Sequence, residues 1–116
     1  MDFDRALIVR KEWLDMIFAG AKPWELRSRH TAVRGRIGLI EAGSGHVMGA
    51  ATLTDSIGPL TIEQWRHNEQ KHRVPYRGNE HLAEKWNHAW VLDGVEQFTS
   101  PIPYRHPQGA VIWVRL

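Results

Sequence analysis

Apolar and polar positions along the chain change period several times, and each change marks an element. RALIVR (5–10) is an apolar run bounded by arginines, with Ile8 and Val9 β-branched, which reads as a short buried strand. In KEWLDMIFAG (11–20), Trp13, Met16 and Ile17 recur at helical spacing, and Leu14 and Phe18 form an i, i+4 pair beside them. Gly20 is placed to end that helix. Pro23 forbids its continuation and holds Lys22 extended. The alternation Trp24, Glu25, Leu26, Arg27 then puts two apolar side chains on one face of a strand and two charged ones on the other.

RGRIGLIEAG (34–43) and HVMGAATLTDSIG (46–58), joined through the 43–45 turn, read as a hairpin. Gly35, Gly38 and Gly49 within it imply tight curvature. GPLTIEQWRHNEQKHRV (58–74) opens on Pro59 and on Thr61, an N-cap residue, and carries Ile62 and Trp65 along a helical stripe. VPYRGN breaks that helix, and EHLAEKWNH (80–88) predicts another, with Leu82 and Trp86 at i, i+4. AWVLDGVEQF (89–98) reads as a strand bent at Gly94. TSPIPYRHPQG (99–109) holds three prolines in eleven residues and reads as an ordered loop. AVIWVRL (110–116) is apolar along nearly its whole length, which predicts a central, buried strand. The sum is an α+β fold: a small mixed β-barrel of five or six strands with two or three flanking helices, in a single domain over 1–116.

Charge adds a local feature. The formal net charge is only +2, which permits nucleic-acid contact without demanding it. Between residues 22 and 36, however, Lys22, Arg27, Arg29, Arg34 and Arg36 face one acid, Glu25: five minus one, a local +4. Six tryptophans in 116 residues is not an ordinary number; an indole supplies large buried area and can also stack on a planar ligand. Trp13, Trp86 and Trp113 read as core; Trp24, Trp65 and Trp90 read as core or pocket wall, with core preferred. With no cysteine, disulfides, thiolate metal sites and a cysteine nucleophile are excluded. The opening MDFDRALIVRKEW has early acids and a four-residue apolar run, neither a secretory signal nor a membrane span, so a cytoplasmic protein without a membrane partner is expected.

The candidate chemistry centres on Lys22, Glu25 and Arg27. A carboxylate inside a barrel mouth needs a neighbouring cation to stay ionised at low cost, and Arg27 or Lys22 can supply it. Such a group can hydrogen-bond a nucleobase edge through the carboxylate and hold a phosphate through the cations. An ion pair on a polar strand face satisfies the same spacing. The seven histidines give no i, i+3 or i+4 ligand pair on a predicted helix, so neither metal nor cofactor is expected. No phosphate-binding glycine loop or nucleophile elbow is present. The PIPYRHPQG stretch places Tyr104, Arg105, His106 and Gln108 on a proline-stiffened backbone, suited to holding a ligand or to making a rigid connection.

FAGAKPWELRSR followed by the glycine-containing strand RGRIGLIEAG resembles the ASCH family, which is PUA-like in fold. The family signature is roughly Gly-x-Lys-x-x-Glu-x-Arg, and Gly20, Lys22, Glu25 and Arg27 match every defined position. AWVLDGVEQFTSPIPYRHPQG is similar to the family's closing segment. The resemblance implies a cleft beside the Lys-Glu-Arg strand, a role in RNA metabolism, and Tyr104 and Gln108 near Lys22. In one branch that hydrolyses N4-acetylcytidine, the matching lysine is the base and a threonine nucleophile stands where this chain has Glu25, so that acyl-enzyme route does not transfer directly.

Three functional readings are compatible with these residues. In the first, the chain binds RNA or a nucleotide: Lys22, Arg27 and Arg29 hold phosphates, Glu25 reads a base edge, Trp24 or Tyr104 stacks, and Gln108 joins the site. In the second it is a hydrolase of single-stranded RNA or an acylated nucleoside such as N4-acetylcytidine. Glu25 then activates water while Lys22 assists or stabilises an oxyanion. In the third it is an interaction domain without a ligand of its own.

Overall fold

The computed structural model describes residues 2–116. The first strand, β1 (Arg5–Val9), is followed by helix α1 (Lys11–Phe18), β2 (Trp24–Arg27), β3 (Gly35–Glu41) and β4 (His46–Ile57). Three short helices come next, α2 (Ile62–His67), α3 (Glu69–His72) and α4 (Glu80–Lys85), and the chain ends in β5 (His88–Pro103) and β6 (Trp113–Arg115). All six strands form one sheet in the order β2-β5-β4-β3-β1-β6. β1 runs parallel to β3, with Leu7 opposite Leu39; the other pairings are antiparallel. The sheet curls into a half-barrel, and its two end strands, β2 and β6, are not hydrogen-bonded neighbours. No helix among the described residues is long and apolar enough to cross a membrane.

Curvature depends on glycine at two close approaches. A Cβ on Gly38 would come within 2.7 Å of the Phe3 ring, and one on Gly49 within 2.6 Å of the Phe18 ring and against the Glu96 carbonyl. Gly49→Val is therefore expected to lower stability by about 1–3 kcal/mol, the usual cost of forced overpacking, and denaturant unfolding measures it.

The structure corrects four expectations. The apolar run at 110–116 is not central: β6 is three residues long and sits at the sheet edge, paired only with β1. Its apolar character serves both faces of the sheet: Val114 is buried in the cluster around Phe3 and Val47, and Trp113 stacks on Trp90 at 5.8 Å. The proline-rich stretch is partly strand, because β5 continues to Pro103, which faces His46 of β4. β2 pairs only with His88 to Val91, so the rest of β5 is an edge, the setting in which a strand tolerates proline. The expected helix over 58–74 starts at a Thr61–Gln64 capping box but breaks at Asn68, whose side chain donates to the Gln64 carbonyl at 2.8 Å. Finally, Trp13, Trp86 and Trp113, read as core, are only partly buried, whereas Trp24, Trp65 and Trp90 are buried, as preferred.

Two apolar clusters hold these elements together around β2. Leu7, Leu14, Ile17, Leu39, Leu53 and Trp90 fill the half-barrel under α1. Trp24, Leu26, Leu60, Trp65 and Val74 pack β2 against the short helices.

Candidate functional site

The alternation read from residues 24–27 sets the geometry. Trp24 and Leu26 enter the second cluster, which turns Glu25 and Arg27 together to the opposite face of β2. Glu25 Oε2 accepts from Arg27 Nε at 3.1 Å and Nη2 at 2.8 Å. Arg27 Nη2 also donates to the Ile8 carbonyl of β1 at 2.8 Å, reaching across the gap between the two ends of the sheet. Lys22 arrives from the segment before β2. Its Nζ lies 3.7 Å from Glu25 Oε1 and donates to the His72 carbonyl at 2.5 Å. Indoles lie against both cations: Trp13 is 5.2 Å from Lys22 Nζ and Trp90 is 5.5 Å from the Arg27 guanidinium.

These groups line a cleft of about 300 Å3 at the open seam of the sheet. Its walls include Trp13, Trp86 and Trp90, with Ile8, Val111 and Ile112 across from β2, and Arg10 and Arg29 also line it. The ionic cluster is largely hidden: Lys22 is 2% and Glu25 5% exposed. One carboxylate against two cations leaves an excess positive charge in a poorly solvated place, which favours an anionic or acceptor-rich ligand group. Burial pushes the Lys22 ammonium below the usual lysine value; the Glu25 carboxylate opposes that shift and Arg27 adds to it.

His72 supports the cluster from behind. It is fully buried, accepts from the Val74 N–H at Nδ1 (3.1 Å) and lies 2.6 Å from the Trp65 carbonyl at Nε2. A carbonyl only accepts and an N–H only donates, so the ring is neutral with its proton on Nε2. Burial lowers its pKa, and nearby Lys22 lowers it further, against the opposing hydrogen bond to Trp65. His88 is also shifted down, first by burial and then by His30. Both imidazoles bind a proton less readily when folded, so unfolding takes up protons at pH values below the ordinary ~6.5. Stability is expected to fall as pH drops from about 6.5 through the folded pKa values. Urea midpoints measured between pH 8 and 5 check this.

Of the residues singled out in the sequence, the structure brings together Lys22, Glu25, Arg27 and Arg29. Trp24 packs into the second cluster, with Lys71 Nζ 5.0 Å from its ring. Tyr104 packs against a third cluster around Phe3 and Val47, and its hydroxyl bonds His106 Nδ1 at 2.8 Å. Gln108 is exposed, and neither Tyr104 nor Gln108 lines the cleft. The closing segment reaches the cleft through Val111 and Ile112 instead. The basic run disperses as well: Arg36 is held by the Gly94 carbonyl and by Glu96 at 3.2 Å, away from the cleft. Sequence reasoning missed Arg10, assigned Trp13 and Trp86 to the core, and had no signal for His72, which acts through its backbone. Among the described residues no group of three or more His, Cys, Asp or Glu is placed to hold a metal ion.

Comparison with known proteins agrees with the fold. The family model for the ASCH domain matches residues 7–102. No curated protein matches the chain. Among solved structures, ASCH from Zymomonas mobilis superposes with a TM-score of 0.72 at 18% identity, covering 97% of this chain and 86% of that one. A tyrosine-to-phenylalanine mutant of that protein gives 0.69, and a serine-to-alanine mutant 0.70, each at 18% identity. Both cover 97% of this chain, and 88% and 87% of theirs. The six-stranded curled sheet, the Gly20-Lys22-Glu25-Arg27 pattern and the family match agree, and the chain belongs to the ASCH domain family.

Proposed function

We propose that the chain binds single-stranded RNA or a nucleotide, with one nucleoside-sized unit seated in the seam cleft. The observation that carries this reading is the combination of a buried Lys22–Glu25–Arg27 cluster with three indoles around one hollow of about 300 Å3. That volume sits at the lower end of the ~300–1,000 Å3 range of small-molecule sites. A base can stack on an indole, worth about 1–3 kcal/mol. Lys22 and Arg27 offer charged donors to its carbonyls or to a phosphate, and Arg10 and Arg29 meet the flanking backbone. Membership of a family linked to RNA metabolism supports the same assignment.

The test is a fluorescence titration with short single-stranded RNA at several salt concentrations. Two phosphate contacts predict a log–log salt slope of about −1.4. Lys22→Met is expected to weaken binding by about tenfold or more, the size of a charge-assisted hydrogen bond. The fold should survive, because Glu25 keeps Arg27 as its partner. No binding by the wild-type protein at low salt would end this reading.

A second reading, hydrolysis, is favoured by one observation: a lysine whose burial lowers its pKa lies beside a carboxylate in a cleft. Such a pair suits proton transfer from an attacking water. Incubation with single-stranded RNA and with N4-acetylcytidine, followed by mass spectrometry, tests it. Turnover that is unchanged by Lys22→Ala would reject the assignment.

A further inference from the structure

Lys22 is held by a clamp that comes from outside the 20–27 segment. The segment after α3 turns sharply at Arg73, a non-glycine residue with φ +67°. That turn delivers two contacts to the chain just before β2: the His72 carbonyl accepts from Lys22 Nζ, and Arg73 Nε donates to the Ala21 carbonyl at 2.9 Å. The turn is itself pinned by the His72 ring, through Val74 N–H on one side and the Trp65 carbonyl on the other. The imidazole thus fixes the acceptor on which the lysine rests, from a position where it cannot touch a ligand.

We infer that the neutral imidazole of His72 is a positioning residue for Lys22, and that protonating it weakens ligand capture by the cleft. The second half rests on the RNA-binding reading above; the first does not. The charged surroundings explain the direction. Lys22 faces the ring from the segment before β2, with Glu25 and Arg27 behind it, and Glu69 faces it from α3. α2 contributes the uncharged Trp65, whose ring lies 4.3 Å away, with Tyr76 beyond that ring. A second proton would sit on Nδ1, turning the acceptor of the Val74 N–H into a donor facing a donor. It would also set a new cation against Lys22. The turn must then open, and Lys22 loses its carbonyl.

Two measurements test this on the intact chain. In the first, lysines are acetylated briefly at pH 7.5 and read by mass spectrometry, with Lys11, Lys71 and Lys85 as internal references. Wild-type Lys22 should be slow. His72→Phe, which removes both ring hydrogen bonds, should raise its relative rate about tenfold, the size of one or two lost buried hydrogen bonds. His72→Asn, whose amide oxygen can replace Nδ1 as the acceptor for Val74, should restore much of the protection. Equal Lys22 rates in all three proteins overturn the positioning role. Should His72→Phe fail to fold, His72→Leu, which likewise removes both ring hydrogen bonds, takes its place in the comparison.

The second measurement is the affinity for a labelled short oligouridylate from pH 7.5 to 5. Wild-type affinity should fall only at pH values below the ordinary imidazole value of about 6.5, because burial lowers the pKa of the folded His72. In His72→Asn, which has no imidazole at this position, the affinity should hold. Identical profiles in the two proteins overturn the acid effect. A wild-type protein that binds at no pH, while Lys22 is released in His72→Phe, rejects the RNA-binding reading and upholds the clamp.

Discussion

Glu25→Ala is expected to remove about 3–5 kcal/mol of stability, the cost of leaving buried charges without their partner. Among the described residues, Lys22 has no other acid within salt-bridge distance, and Arg27 bonds no other carboxylate. Both are held in place by main-chain carbonyls, so neither turns easily to solvent. A domain with about 5–15 kcal/mol in total loses about a fifth or more of it. Thermal and denaturant unfolding of the variant measure this. The paired change Glu25→Ala with Lys22→Met should recover part of the loss, because one of the two stranded cations is gone. A double-mutant cycle over the two single variants and the double one gives the coupling. A loss below about 1 kcal/mol in the single variant would mean that the cluster is solvated, as a surface pair is.

Trp65→Ala is expected to cost a similar amount, about 3–5 kcal/mol, for a different reason. Trp65 is fully buried between β2 and the short helices. Its Nε1–H donates to the Trp86 carbonyl at 3.1 Å, and its own carbonyl accepts from His72. Truncation leaves a cavity, an orphaned carbonyl and a loosened imidazole. Trp65→Phe retains most of the buried area and loses the indole donor, so about 1–2 kcal/mol is expected. Urea midpoints with an unchanged m-value separate these losses from a change in the unfolded chain. Lys22 acetylation should rise in the alanine variant and much less in the phenylalanine one.

How much of the molecule was legible in its sequence depends on the range of the forces involved. The two-residue alternation at 24–27 is local, so it revealed which side chains share a face, and the Lys22–Glu25–Arg27 grouping came with it. Thr61 with Gln64 is a local signature as well, and the helix begins there. Position within the sheet is not local. An apolar run such as 110–116 reads alike whether its strand is flanked on both sides or on one, and β6 has a neighbour on one side only. Prolines in β5 misled because their tolerance depends on where β2 stops pairing. Trp13 and Trp86 keep helical spacing to apolar neighbours, which assigns them to the core and does not show that one side of each faces a hollow. His72 contributes a carbonyl, and a carbonyl has no letter in the sequence.

Where a closed barrel would join its terminal strands by a ladder of amides, here the Arg27 guanidinium of terminal strand β2 reaches the Ile8 carbonyl of β1, the strand beside terminal β6. A backbone ladder cannot be altered without rebuilding a strand, whereas a side-chain strut is altered by one codon. The width of the hollow on that side is therefore set by one side chain, and a substitution at Arg27 changes it without rebuilding a strand.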